Sequence, residues 1–370
     1  MPPRVLILTA SVGEGHDLPA RTLAAQLEAE RPDVEVVTED GLVAMGRLFV
    51  GVNERAPRVI FYRQQWIYDL AFWLFARFAP LRRAVQWLLV LVASPGLLRL
   101  VRSVRPDVIV SVYPVTTEVL GGLRRRGRLD IPVCAAITDL AAMRYWAARG
   151  IDLHLVTHPE SIAEVRDVAG WDTEIRCVHG LTSPEFAKPR DPADARRALE
   201  LPTDGKIVLV SGGGWGVGDL GSAVEVALTV EGVAGVVCLC GRNDALCEQL
   251  QRRFAGEQRV RPVGFTDRMG DWLAAGDALV HSTGGLTVLE SHIRGCPAIS
   301  YGWGRGHIRL NNRAFRRFGL ADVVESRAEL GAALRRALVR RKPQDLSFAS
   351  LPSAASLVLA RADEHAADRA

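Results

Sequence analysis

The sequence lacks the features that mark metal-binding, disulfide-bonded or secreted proteins. Its six cysteines, at positions 134, 177, 238, 240, 247 and 296, form no CxxC pair and show no metal-ligand spacing with histidine. We therefore expect reduced core thiols and no metal site. The chain runs from Met-Pro-Pro-Arg directly into a β-rich stretch at Val5, which leaves no room for a secretory signal. These absences favour a cytoplasmic protein.

Net charge and long apolar runs are also scarce. A net charge of +4 over 370 residues is too small to indicate a nucleic-acid partner. The longest uncharged run of the most apolar region, 84–98, is shorter than the roughly 20 residues that cross a bilayer. No transmembrane helix is therefore expected.

Positive charge is concentrated in one part of the chain. Residues 41–128 contain fourteen arginines and four acidic residues, so this part is basic. Within it, the apolar segment 72–101 places tryptophans and leucines among Arg77, Arg82 and Arg83. Such a mixture is typical of an interfacial helix on an anionic membrane. A buried helical hairpin with a basic outer face fits the pattern equally well.

The chain length exceeds what one hydrophobic core usually supports, which predicts two α/β domains with a cleft between them. Short apolar runs alternate with helical patterns, as in doubly wound parallel sheets. The predicted strands are Val5–Leu8, Val34–Thr38, Val108–Val112, Val133–Ile137 and Leu153–Val156, then Ile207–Val210, Val236–Cys240, Ala278–Val280 and Ala298–Ser300. A proline-rich stretch between these two sets predicts the boundary. We expect Rossmann-like domains over 1–180 and 205–345, a linker over 181–204, and a C-terminal helix over 346–370.

Each predicted domain has a glycine-rich turn after its first strand. In the first domain this turn is Ser11–His16, and His16 at a loop tip is a candidate general base or oxyanion donor. In the second domain it is Ser211–Gly218. A dinucleotide site would need an acidic residue at the end of the next strand, but that strand ends Cys-Gly-Arg. The second turn is therefore interpreted as a phosphate-facing loop.

The densest group of polar and glycine residues lies at 264–297. Ser282–Gly285 ends a strand and opens a helix, so its amides and the positive helix end can hold a diphosphate. Glu290 follows within this helix and can accept hydrogen bonds from ribose hydroxyls. The turn Gly264–Thr266 can present backbone groups to a uracil edge. An exposed surface glutamate is the alternative for Glu290.

At these residues the sequence resembles a known group of enzymes. The supporting motifs are Ser11–His16, Thr138-Asp139 with Trp146, GFTDRM at 264–269, GGLTVLE at 284–290, and Gly306-His307 with Asn311. The first half resembles the monogalactosyldiacylglycerol synthases and processive diacylglycerol glycosyltransferases. The second half resembles the C-terminal domain of the N-acetylglucosaminyltransferase that forms lipid II.

The resemblance implies the GT-B fold, with two Rossmann-like domains facing across a cleft, and an inverting, metal-independent transfer from a UDP-sugar. The first domain would bind the acceptor and the second the donor, with no cofactor besides this co-substrate. His16 and Asp139 would be catalytic, and Gly13 and Gly15 would form the acceptor loop; for Asp139, a structural helix cap is the alternative. The donor-binding residues would be Gly213, Gly214, Phe265, Thr266, Ser282, Thr283, Gly284, Gly285, Leu286, Glu290, His307 and Asn311.

The sequence departs from the group at Met143, where relatives commonly carry histidine, and in the linker, which lacks the arginine of Gly-x-Pro-x-Arg. It also departs at 307–311, the part that should contact the sugar. The main hypothesis is transfer of a hexose to a lipid, diacylglycerol-like acceptor, by a cytoplasmic protein held at the inner face of the membrane through segment 72–101. Transfer to a soluble natural product, a non-catalytic nucleotide-sugar-binding protein and a UDP-sugar 2-epimerase are the alternatives.

Overall fold

The computed structural model describes residues 2–10, 14–46, 49, 79–140, 146–302 and 306–369. The chain forms two compact units, Met1–Ser183 with Leu351–Ala370, and Pro184–Ser350. The chain therefore passes from the first unit to the second after Ser183 and returns after Ser350. Each unit contains one six-stranded parallel sheet with flanking helices.

The sheet of the first unit has the strand order β2-β1-β3-β4-β5-β6. Its strands are β1 Arg4–Thr9, β2 Glu35–Asp40, β3 Val108–Ser111, β4 Val133–Ile137, β5 Leu153–Val156 and β6 Glu174–Cys177. The five predicted strands are confirmed. The strands β3, β4 and β5 are uncharged or nearly uncharged runs buried on both faces, as in central parallel strands, whereas the edge strand β2 carries charged residues and is partly exposed. The edge strand β6, with the sequence EIRC, was not predicted because its charged residues interrupt the apolar pattern.

The described helices of the first unit are α1 Glu14–Glu30, α2 Gly41–Met45, α3 Ala79–Val104, α4 Pro114–Arg125, α5 Ile162–Ala169 and, from the C-terminus, α13 Ala354–Asp368. The sequence predicted helix α13 without indicating the domain on which it packs. In the structure, Ala355, Val358 and Ala362 join the core formed by β1 and α1. Arg31 of the loop after α1 also forms an ion pair with Asp363 at 2.7 Å.

Helix α3 contains the described part of the apolar segment. Its stretch Arg83–Val104 is long and apolar enough to cross a membrane, by length and composition alone, with a mean hydropathy of 1.8. One face is nevertheless buried in the unit, with Ala93 and Leu97 in the core. The opposite face exposes Trp87, Leu88 and their apolar neighbours. The exposed side chains of this helix also include Arg83, Arg99 and Arg102, so its outer side is both apolar and basic. Residues 72–78 lie outside the described ranges.

The sheet of the second unit has the strand order β12-β11-β10-β7-β8-β9. Its strands are β7 Lys206–Ser211, β8 Val233–Leu239, β9 Val260–Val263, β10 Ala278–His281, β11 Ala298–Tyr301 and β12 Asp322–Val324. Its described α-helices are α6 Pro192–Ala198, α7 Leu220–Leu228, α8 Asp244–Arg253, α9 Met269–Ala275, α10 Gly285–Ile293, α11 Gly306–Phe318 and α12 Arg327–Ala337. The four predicted strands are confirmed, and the two edge strands, β9 and β12, were missed.

Most of the predicted linker, 181–204, belongs to the second unit. Pro192 stands at the start of α6, where a proline is compatible with a helix, and Asp191 caps that helix. Arg196 of α6 is buried, and its guanidinium donates to Asp277 at 2.6 Å, just before β10. The prolines therefore mark short helical turns packed on the second unit, and the predicted boundary at 204/205 lies inside it.

Candidate functional site

The glycine-rich loop of the second unit follows β7 at the carboxyl end of its sheet, where ligands bind in open α/β folds. Gly213 has a φ of +67°, and a Cβ there would lie 2.7 Å from Cγ2 of Thr283. A Cβ on Gly218 would likewise meet Oγ of Ser282. The loop therefore packs directly against the turn after β10, and glycine is required for that close approach.

The turn after β10 leads into α10 through a glycine at the N-cap position. Gly284 is the N-cap residue and, as a glycine, has no side chain that could accept a hydrogen bond from the first turn of the helix. The amides of this first turn and the positive end of the helix therefore lie beside the loop that contains Gly213 and Gly214. The predicted diphosphate residues run from this turn into the first turn of α10: Ser282, Thr283 and Gly284, then Gly285 and Leu286.

Glu290 lies in the second turn of α10, and only 5% of its surface is exposed. The alternative of an exposed surface glutamate is therefore wrong. A buried carboxylate is costly unless it has partners, so its retention in this helix favours a specific role. Contact with ribose hydroxyls stays a prediction.

Phe265 and Thr266 follow β9 at the same end of the sheet. The Phe265 side chain is 46% exposed. The hydroxyl oxygen of Thr266 accepts bonds from the amide of Arg268, at 3.1 Å, and from Nε1 of Trp272, at 3.2 Å. Thr266 therefore fixes the turn that leads into α9, a role that the motif alone did not indicate.

Helix α11 begins at Gly306 and carries the two residues expected to contact the sugar. The side chain of Asn311 is fully buried. Its neighbour Asn312 accepts a hydrogen bond from the hydroxyl of Ser300, at 2.7 Å, which joins α11 to β11. The side chain of His307 lies outside the description, so its predicted role in sugar binding stays a prediction.

In the first unit, His16 lies in the first turn of α1, in an aromatic setting. Its ring stacks on Trp146, with centroids 5.2 Å apart and planes at 29°, and meets the edge of Tyr113 at 4.9 Å. Nδ1 is 3.0 Å from the carbonyl oxygen of Val112, at the end of β3. Because a carbonyl only accepts, this contact assigns the proton to Nδ1 and leaves Nε2 as the basic nitrogen.

Asp139 follows β4 at the same end of the first sheet and is partly buried. The preceding residue, Thr138, donates from its hydroxyl to the carbonyl oxygen of Gly15 at 3.3 Å, which ties this strand end to the turn that carries His16. The structure thus brings the segments of both predicted catalytic residues together. Gly13 and Met143 lie outside the described residues.

The comparisons with known proteins cover both units. The sequence model of the monogalactosyldiacylglycerol (MGDG) synthase family matches residues 16–181. A processive diacylglycerol beta-glucosyltransferase of Bacillus mycoides is 25% identical over 346 residues, covering 89% of this chain and 84% of the relative. The structure of Acinetobacter baumannii MurG is similar with a TM-score of 0.55 at 15% identity, over 98% of this chain and 95% of that one. The spinosyn rhamnosyltransferase SpnG, solved with thymidine diphosphate, has a TM-score of 0.59 at 15% identity, over 96% and 99%.

The chain is a glycosyltransferase with the GT-B fold. The resemblance to the monogalactosyldiacylglycerol synthase and diacylglycerol glycosyltransferase group is thereby confirmed. The family match of this glycosyltransferase lies within the first unit and includes His16, Asp139 and Trp146. Within the described ranges, no cluster of three or more His, Cys, Asp or Glu side chains could hold a metal ion.

The glycosyltransferase also has a buried histidine at the carboxyl end of the second sheet. His281 ends β10 and is 1% exposed, and its Nδ1 accepts the amide N–H of Thr283 at 3.2 Å. Its proton is therefore on Nε2. Burial lowers the pKa of His281 to about 4, so the ring is neutral near pH 7. The neutral His281 ring therefore holds the turn before α10 by accepting the Thr283 amide.

Acidification is expected to destabilise the glycosyltransferase through His281 and through His154 of β5, whose pKa burial also lowers to about 4. In the folded state the pKa of each histidine lies below the unfolded value of about 6.5. Between about pH 4 and pH 6.5 the unfolded chain therefore binds more protons than the folded chain. Their stabilisation is complete above about pH 6.5 and is lost as the pH falls towards 4. The loss at pH 5 is about 1–2 kcal/mol for each histidine.

Urea unfolding of the wild type, His154→Asn and His281→Asn between pH 5 and pH 8 measures this effect. Each variant should show a smaller decrease in the free energy of unfolding on acidification, and the double variant the smallest. An unchanged pH slope in His281→Asn would show that the ring is not held neutral by the fold.

Proposed function

We propose that this glycosyltransferase moves a hexose from a UDP-sugar to a lipid, diacylglycerol-like acceptor at the cytoplasmic surface of the membrane. The transfer inverts the anomeric carbon and uses no metal and no cofactor besides the UDP-sugar. The observation that carries the donor assignment is the contact between the loop at Gly213 and the turn Ser282–Gly284, at the N-terminus of α10, whose N-cap residue is a glycine. The named relative is a diacylglycerol glucosyltransferase, which supports the lipid acceptor.

In the proposed donor complex, the diphosphate lies on the first-turn amides of α10, where the positive end of the helix stabilises its charge. Gly213 and Gly214 have no side chains of their own, so their backbone can approach the phosphates closely. Glu290 binds the ribose hydroxyls, and the turn at Phe265 and Thr266 meets the uracil. His307 and Asn311 contact the sugar.

In the proposed reaction, Nε2 of His16 accepts the proton of the acceptor hydroxyl as its oxygen attacks C1 of the sugar. The bond between C1 and the diphosphate oxygen breaks, and UDP leaves. One direct displacement inverts C1. The bond from Nδ1 to the carbonyl of Val112 supports this role, because it fixes the tautomer whose other nitrogen is basic.

The apolar outer face of α3 is the proposed membrane contact. Trp87 is 58% exposed, Leu88 54% and Leu91 50%, which leaves large apolar side chains in water. Arg83 and Arg99 are exposed on the same helix. Tryptophan and leucine can enter the headgroup boundary while the guanidinium groups meet anionic lipid.

A transfer assay tests the proposal. Radiolabelled UDP-hexoses are incubated with vesicles that contain diacylglycerol and anionic phospholipid, and the lipid fraction is analysed by chromatography. Label should enter a glycolipid, and the sample without diacylglycerol should stay at background. Failure to label lipid with any UDP-hexose would refute the proposed acceptor.

Vesicle flotation in the same mixtures distinguishes a membrane enzyme from one that acts on a soluble natural product. The protein should float with anionic vesicles, and Trp87→Ser with Leu88→Ser and Leu91→Ser should reduce the floating fraction. Trp171→Ser is the matched control, because Trp171 is 80% exposed on the same unit but outside α3. Equal loss in both variants would contradict a membrane contact through α3.

A further inference from the structure

Arg242 makes the closest described arginine–aromatic contact in the second unit. Its guanidinium carbon lies 3.8 Å from the centroid of the Phe265 ring. The four other such pairs described in this unit have separations of 4.9–5.6 Å. At 3.8 Å the guanidinium is in van der Waals contact with the ring face, so the two groups form one stacked pair.

The backbone around Arg242 is held rigidly at the phosphate-facing loop. Its amide donates to the carbonyl oxygen of Gly214 at 2.8 Å. The preceding Gly241 has a φ of +59°, and a Cβ there would collide with the carbonyl oxygens of Gly213 and Gly214. The side-chain oxygen of Asn243 caps α8 by accepting the backbone N–H of Leu246 at 3.0 Å. Its side-chain nitrogen Nδ2 donates to the carbonyl oxygen of Trp215 at 3.4 Å. The stacked pair is therefore fixed beside the proposed diphosphate position.

We propose that Arg242 is the residue on which the donor nucleobase stacks, an inference that rests on the proposed donor site. The guanidinium lies over one face of the Phe265 ring, and both side chains are exposed, so a base can reach the stacked pair. Bases stack on arginine planes as they do on aromatic rings. Phe265 is then a positioning residue that holds the guanidinium flat.

Binding measurements separate a base-stacking role from a phosphate-binding role. The dissociation constants of UDP and of inorganic pyrophosphate are measured by titration calorimetry, the latter by competition. Arg242→Ala should weaken UDP about ten-fold, the order of one base stack, and leave pyrophosphate within two-fold. Arg242→Gln, which keeps a planar group, should retain more UDP affinity than Arg242→Lys, which keeps only the charge. Adding Phe265→Ala to Arg242→Ala should cause little further loss of UDP affinity, because the two side chains act as one stacked pair.

Arg253→Lys serves as the matched control, because Arg253 is exposed and lies 5.6 Å from the partly buried Phe254 in another such pair of the same unit. It should bind UDP as the wild type does. Equal losses of UDP and pyrophosphate affinity in Arg242→Ala, or better binding by the lysine variant than by the glutamine variant, would overturn the stacking role. So would unchanged UDP affinity in Arg242→Ala. A wild type that binds no UDP would instead overturn the proposed donor site itself, and this inference with it.

Discussion

Replacement of His16 by alanine is expected to lower kcat by about 10²- to 10⁴-fold, the range typical of a lost general base. The reason is geometric, because the Val112 carbonyl takes the Nδ1 proton and leaves Nε2 to accept the acceptor proton. Trp146 and Tyr113 fix the plane of the ring. The glycolipid transfer assay under saturating substrate measures this loss.

The affinity of His16→Ala for UDP is the internal control for this variant. His16 lies in the first unit, whereas all proposed nucleotide contacts lie in the second, so the dissociation constant should stay at the wild-type value. Added imidazole should restore part of the lost rate, because a small base can occupy the space of the missing ring. If kcat falls by less than three-fold, His16 is not the base.

Replacement of Glu290 by glutamine is expected to weaken UDP binding by about 10- to 100-fold, because hydrogen bonds to a charged group contribute about 1.5–3 kcal/mol. The carboxylate is buried in α10, one turn after the residues proposed to hold the diphosphate. Titration calorimetry with UDP measures the change. The variant keeps the shape of the side chain, so its thermal unfolding should stay close to that of the wild type.

Donors with one ribose hydroxyl removed distinguish a ribose contact from a structural role of Glu290. The wild type should bind the 2′-deoxy or the 3′-deoxy analogue of UDP more weakly than UDP, and Glu290→Gln should bind all three with similar affinity. If the variant discriminates between UDP and both analogues as strongly as the wild type does, Glu290 does not contact the ribose.

The sequence predicted the central strands of both sheets because strands that are buried on both faces consist of continuous apolar runs. The stretch Val5–Leu8, for example, is fully buried. The edge strand β2 was predicted from its apolar residues, whereas β6, β9 and β12 were missed because charged residues or a proline interrupt their short apolar runs. The prolines of 184–202 predicted a linker, although Pro192 starts a helix and Arg196 anchors it to Asp277. Local composition does not show such long-range contacts.

The candidate site was predicted best where it consists of one continuous motif. The strand, turn and helix at 278–293 follow directly from the sequence. An apolar run is followed by the small residues of Ser282–Gly285, and these by a helical stretch. The stacking of His16 on Trp146 joins residues far apart in the chain, so no spacing rule could indicate it. The structural role of Thr266 and the stack of Arg242 on Phe265 depend in the same way on side-chain directions that only the fold determines.

Thermal unfolding with a panel of nucleoside diphosphates tests most directly the claim that the carboxyl end of the second sheet is a UDP-sugar donor site. A ligand at 100 times its dissociation constant stabilises the folded state by about 2.7 kcal/mol, which raises Tm by several degrees. We predict that UDP gives the largest shift and that Glu290→Gln reduces this shift to about half or less at the same concentration. A panel in which UDP gives no shift, or shifts the variant as much as the wild type, would contradict this assignment.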